Sequence, residues 1–240
     1  MKKAGLLGGM SWESTVTYYQ IINRIVGQQL GGNHSADMVI RSLDLELIDS
    51  HQRRGEWEQV EELLCRGAKE LEFLGADFIL MASNTVHRVY DAVQGAVSVP
   101  ILHIADPTVE AVQRAGIQTV GLLGTRYTME GDFLKEKLTA AGIDVIVPPA
   151  DEIEKIHHAI FTEGCAGNIK EETRTMFLHV MCGLKQRGAQ GIILGCTELG
   201  LMVSAEGSCL PLFDTAVLHA EKAAEEILRR PGRMEWTDSN

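Results

Sequence analysis

Apolar residues are distributed along the chain in two alternating patterns. Runs of five or six residues rich in Val, Ile and Leu, most of them beside Gly or a small polar residue, occupy 4–9 (AGLLGG), 38–43 (MVIRSL), 77–82 (DFILMA), 100–104 (PILHI), 119–124 (TVGLLG), 144–148 (DVIVP), 191–195 (GIILG) and 209–213 (CLPLF). Between them 11–30, 56–74, 84–94, 106–115, 128–141, 151–162, 170–187 and 214–229 read as helices, several opened by Ser, Asp, Asn or Thr. Over 56–74, for example, Val60, Leu63, Leu64, Ala68, Leu71 and Leu74 fall on one face. Strands that alternate with amphipathic crossovers predict an α/β fold built on parallel sheets.

The pattern repeats within the chain. GLLGGM from Gly5 returns as GLLGTR from Gly121, GADFILMASNT from Gly75 as GAQGIILGCTE from Gly188, and PILHIA from Pro100 as PLFDTA from Pro211. The offsets are 116, 113 and 111 residues, so the two halves are nearly collinear. Two similar lobes related by a pseudo-two-fold follow, with a cleft between them. Lobe 1 is expected to span 1–104 and to be completed by the C-terminal helix 214–229. Lobe 2 is expected to span 105–213, and 230–240 reads as a frayed tail. Ligands of open α/β sheets bind beyond the carboxyl ends of the strands. The duplication sets Ser83 opposite Cys196 at two such ends.

Composition narrows the possibilities. The 240 residues carry 22 basic and 33 acidic side chains, a formal net charge of −11 that makes nucleic acid a poor partner. Five cysteines with no C-x-x-C pair suggest reduced thiols, and the histidines show no ligand spacing, so no metal is expected. The first residues, MKKAGLLGGM, are too short a leader and lack a cleavage site, and no stretch is long enough to span a bilayer. A cytoplasmic protein with no membrane partner is expected.

Equivalent groups on opposite sides of a small substrate suit removal of a proton from one face of a carbon and its delivery to the other. A thiol suits this work because its ordinary pKa of about 8.5 needs only a modest shift to give thiolate. The turn Gly195-Cys196-Thr197-Glu198 precedes a predicted helix whose first N–H groups favour an anion, and with Thr197, Asn84 and Thr85 they could hold a substrate carboxylate.

The segments GLLGGMSWEST (5–15), SNTVH (83–87), HIAD (103–106), LLGTRYTM (122–129) and GCTELGL (195–201) resemble, in order, the signature segments of the aspartate/glutamate racemase family. With HQRRGEW (51–57) they are most similar to its bacterial branch specific for L-aspartate and L-glutamate. The resemblance implies a cofactor-independent isomerase of a small amino acid, commonly a homodimer. It implies that Cys196 takes the α-proton of the L isomer and Ser83 returns one from the other face. Met10, Gln52, Asn84, Thr85, Thr125, Thr197 and Glu198 would bind substrate. The family usually has Cys-Asn-Thr where this chain has Ser83-Asn84-Thr85, so the reaction should run unevenly, D to L more slowly. Relatives often carry a Lys for the distal carboxylate where this chain has Cys165, which leaves Gln52 with Arg53 or Arg54, or else Arg126, to replace it. Rival readings are a maleate-type dicarboxylate cis-trans isomerase, which normally uses the missing first cysteine, and a non-catalytic amino-acid binder. Taken alone, Cys196 could be an inert buried thiol and Ser83 a helix N-cap.

Overall fold

A computed structural model describes residues 1–164, 168–203 and 207–229 of the chain. Cys165 and the tail 230–240 lie outside the described residues. The apolar runs form two four-stranded parallel sheets. In one, β1 (Ala4–Gly8), β2 (Met38–Ser42), β3 (Phe78–Met81) and β4 (Ile101–Leu102) stand in the order β2-β1-β3-β4. In the other, β5 (Thr119–Gly124), β6 (Asp144–Ile146), β7 (Gly191–Gly195) and β8 (Leu212–Asp214) repeat it as β6-β5-β7-β8. The inner strands β1, β3 and β7 are buried at every residue, as expected when helices cover both faces of a parallel sheet.

The two sheets agree down to their register. Gly5 pairs with Ile79 and Leu7 with Met81; at the equivalent places Gly121 pairs with Ile192 and Leu123 with Leu194. Ser83 and Cys196 therefore leave their sheets at matching points, each two residues beyond those partners. The same logic governs the first turns. A Cβ on Gly8 would lie 2.5 Å from the Thr15 hydroxyl, and one on Gly124 would lie 3.0 Å from Cβ of Thr128. Both strands need a bare glycine to let a threonine of the next helix close in.

The helices are α1 (Trp12–Leu30), α2 (Leu45–Arg54), α3 (Trp57–Phe73), a 3-10 turn (Thr85–Val89), α4 (Tyr90–Gly95) and α5 (Ala105–Arg114) in the first half. The second half adds α6 (Arg126–Glu130), α7 (Lys135–Ala140), α8 (Ala150–Ala159) running into a π turn (Ile160–Gly164), α9 (Glu171–Gln186), α10 (Leu199–Met202) and α11 (Thr215–Leu228). The alanine face of α11, Ala216, Ala220, Ala223 and Ala224, packs on Leu6, Tyr18, Ile22 and Leu80 of the first lobe. Conversely Ala105 and Val112 of α5 pack on Val120, Leu122 and Ile193 of the second.

Three sequence expectations change. The sequence shows no helix between 43 and 56, yet α2 is there: the Asp44 carboxylate accepts the Glu46 N–H, and Gly55 ends the helix at φ 73°. The single helix expected over 128–141 is two, because the chain turns at Gly131 after α6 and restarts at Lys135. The last strand lies at 212–214 instead of 209–213. Pro211 has no N–H to give the ladder, although its carbonyl accepts from Ile192 N at 2.8 Å.

Candidate active site

The carboxyl ends of the inner strands of both sheets open on one interlobe cleft. Met10, Gln52, Ser83, Asn84, Thr85, Thr125, Cys196, Thr197 and Glu198 all line it. These nine residues are thus brought to one place, from segments as far apart as the turn after β1 and the turn after β7.

On the lobe 2 side the chemistry converges on the Glu198 carboxylate, which is buried. The Cys196 thiol donates to its Oε2 at 2.8 Å, and the Thr197 hydroxyl donates to the same oxygen at 2.8 Å. From lobe 1, Ser11 donates to Oε1 at 2.9 Å and Ser14 at 3.3 Å. The Ser14 and Thr197 hydroxyls also touch each other. One carboxylate thereby accepts the thiol's hydrogen bond and ties the first turn of α1 to the opposite lobe. This revises two expectations. Glu198 lines the cleft, but its oxygens face Cys196 and the hydroxyls. The helix after Cys196 is α10, with only four residues, and so short a helix has little dipole to offer a thiolate. The partner of the thiol is the carboxylate.

Ser83, half-buried, stands at the matching place in lobe 1, and its hydroxyl hydrogen-bonds to no described residue. It does not cap the 3-10 turn, whose N-cap is Asn84 without a side-chain cap bond. Asn84 Nδ2 donates to Thr215 Oγ1 at 2.8 Å, and Thr215 donates on to Leu194 O at 2.9 Å. This fixes the amide orientation and leaves Asn84 Oδ1 buried without a partner. An orphaned buried acceptor costs about 1–3 kcal/mol. The Thr85 and Thr125 hydroxyls meet across the lobes at 3.1 Å.

The remaining wall is apolar: Met10, Leu45, Ile48, Val86, Ile160 and Phe161, with Gln52 one turn beyond Ile48 on α2. The arginines expected to help Gln52 stay outside. Arg53 pairs with Glu46 at 2.8 Å and Asp49 at 3.0 Å, Arg54 with Glu56 at 2.9 Å, and Arg126 with Glu154 at 2.9 Å.

Behind Ser83 lies a group of buried imidazoles that sequence spacing did not reveal. His87 Nδ1–H donates to Ser83 O at 2.8 Å, while its Nε2 accepts from Ile104 N at 3.2 Å. His103 stands 4.7 Å from His87, ring to ring, and His219 stands 6.0 Å from it. Burial pushes His87 down to about 4 and His219 to about 3; burial and the neighbouring His87 push His103 to about 2. All three are neutral at pH 7, and His87 holds the Ser83 carbonyl while His219 holds that of Leu102 on β4. Among the described residues no group of three or more His, Cys, Asp or Glu is arranged to hold a metal ion. No helix of the described residues is long and apolar enough to cross a membrane.

Two duplicated parallel-sheet lobes with a thiol and a hydroxyl at equivalent strand ends define the class, and the chain belongs to the Asp/Glu/Hydantoin racemase family, whose sequence profile it matches over residues 7–223. It is accordingly an isomerase of the racemase type. A broad-specificity amino-acid racemase of Bacillus subtilis (strain 168), RacX, is 25% identical over 227 residues, covering 93% of this chain and 97% of that one. A crystal structure of a Yersinia pestis protein, provisionally named as an Asp/Glu racemase, is 44% identical with a TM-score of 0.89, covering 95% of this chain and all of that one. An aspartate racemase homologue from Pyrococcus horikoshii OT3 is 34% identical with a TM-score of 0.83, over 95% of this chain and 100% of that one.

Proposed function

We propose that the chain inverts an α-amino acid by two-base 1,1-proton transfer, with Cys196 serving the L face and Ser83 the other. The observation that carries this reading is the Cys196 thiol directed onto the Glu198 carboxylate while the equivalent Ser83 hydroxyl is uncommitted. Glu198 takes the thiol proton, and the thiolate removes the α-proton of the L isomer. The carbanion then receives the hydroxyl proton of Ser83 on its opposite face. Cys196 and Glu198 finish protonated and Ser83 deprotonated; loss of the Glu198 proton to solvent and uptake of one by Ser83 restore the starting state. The orphaned Asn84 Oδ1 accepts from the α-ammonium, and the Thr85–Thr125 pair, in which one hydroxyl serves the other, has one hydroxyl proton to give the α-carboxylate, where charge grows as the proton leaves. Glu198 is a positioning residue: it acts through the thiol.

A neutral hydroxyl is a poor base, so the same site works badly from the D side. In deuterated buffer, α-proton exchange of the preferred L-amino acid should far exceed that of its D isomer. Equal rates would refute the assignment of roles. Cys196→Ala should lower L-isomer exchange by about 10³-fold. A parent protein that exchanges no amino acid but binds one would be a binding relative, not an enzyme. The resemblance points to L-aspartate and L-glutamate as substrates, and the α-groups of the site serve any amino acid; the side-chain pocket bears on the choice.

A further inference from the structure

The part of the cleft left for a substrate side chain carries no cation among the described residues. Its wall is Leu45, Ile48, Val86, Ile160 and Phe161, closed by Gln52. Most of Gln52 is buried, and no hydrogen bond ties its side-chain amide, which lines the cleft, to a described residue. Arg53, Arg54 and Arg126 are each held by carboxylates on the surface, with side chains 57%, 54% and 38% exposed.

The charged side chain that lines the cleft is Glu198, an acid; Asp49, one turn before Gln52 on α2, is paired with Arg53 at 3.0 Å and lies off the lining. A zwitterionic α-amino acid brings no net charge into this space. A dicarboxylate brings a second anion against an apolar wall, with one neutral amide to receive it, and an unpaired buried charge is strongly unfavourable. An amide, by contrast, both donates and accepts, so Gln52 suits an uncharged polar end and the wall suits its methylenes.

We propose that the side-chain pocket formed by α2 and the π turn selects uncharged amino acids over aspartate and glutamate, with Gln52 reading the end of the side chain. The proposal rests on the racemase reading above and assigns its substrate class. The test uses the full chain and isosteric pairs, which hold shape constant and change only charge: L-glutamine against L-glutamate, and L-asparagine against L-aspartate. From α-proton exchange, kcat/KM should be higher for the amide member of each pair by about tenfold or more. Equal values, or acids preferred in both pairs, would overturn the proposal while leaving the racemase reading intact. No exchange of any amino acid would overturn both. Gln52→Arg places a cation at the same point and should raise the glutamate-to-glutamine ratio by about tenfold. A folded variant with the parent's ratio would remove Gln52 from the role. Should that variant fail to fold, the pairs measured on the parent still decide the matter.

Discussion

The turn Ser83-Asn84-Thr85 and the turn Cys196-Thr197-Glu198 follow equivalent strands in equivalent register, yet they are chemically unlike. In lobe 2 a thiol points at a carboxylate that also collects hydroxyls from the other lobe. In lobe 1 the thiol is a hydroxyl with no acid beside it, and the carboxylate's place is taken by Thr85, which faces Thr125 at 3.1 Å. The difference extends to the outer strands, where His103 stands at the position that Asp214 holds in lobe 2. The backbone symmetry is maintained by apolar runs and bare glycines. The turns beyond them lie outside the paired strands, so their side chains could diverge without disturbing the register, one toward a base and the other toward a proton donor.

Removing the donor should break the comparison most sharply. Ser83→Ala is expected to lower inversion by about 10²-fold while Cys196 still washes deuterium into the L isomer, as chiral chromatography beside mass spectrometry would show. Glu198→Gln should slow L-isomer exchange about tenfold at pH 7 and move the pH profile upward, because the thiol loses its proton acceptor. It should also lower Tm, since hydrogen bonds to a charged group contribute about 1.5–3 kcal/mol each. Ser83→Cys should make the turns more alike and raise exchange of the D isomer several-fold, measured by nuclear magnetic resonance in deuterated buffer.

The smallest effect is on stability. His87, His103 and His219 have folded pKa values below the unfolded value of about 6.5, so the unfolded chain takes up protons first as pH falls. Each costs up to about 1.4 kcal/mol per pH unit from about 6.5 down to its folded value. Asp214 has the opposite sign: burial raises its pKa, so acidification relieves the cost of its charge. Amide exchange at pH 5 should therefore show β3 and β4 losing protection before β7 and β8. The reverse order would contradict this account of the two lobes.

Element order and the pairing of Ser83 with Cys196 were legible because apolar period and motif offset are local in the sequence. α2 was not, since its face toward the cleft is thin, with only Ile48, Asp49 and Gln52 buried among polar neighbours. Its signal was present as Asp44 before the helix and Gly55 after it. Glu198 was recognisable as a site residue, but its hydrogen bonds to Ser11 and Ser14 span more than 180 positions and exist only in the fold. The arginines of HQRRGEW look like anion binders in the sequence. On α2 they project outward, where nearby carboxylates hold them.

The docking of α5 on the second lobe and of α11 on the first has a consequence for how such a chain could arise and assemble. Each repeat ends in an arm that covers its sibling's sheet, so one repeat alone would expose an uncovered sheet and an unplaced helix. Two copies exchanging arms would satisfy both. The chain has the architecture of a domain-swapped dimer whose subunits are joined end to end, and that linkage lets its two active-site edges carry different side chains, a thiol on one and a hydroxyl on the other.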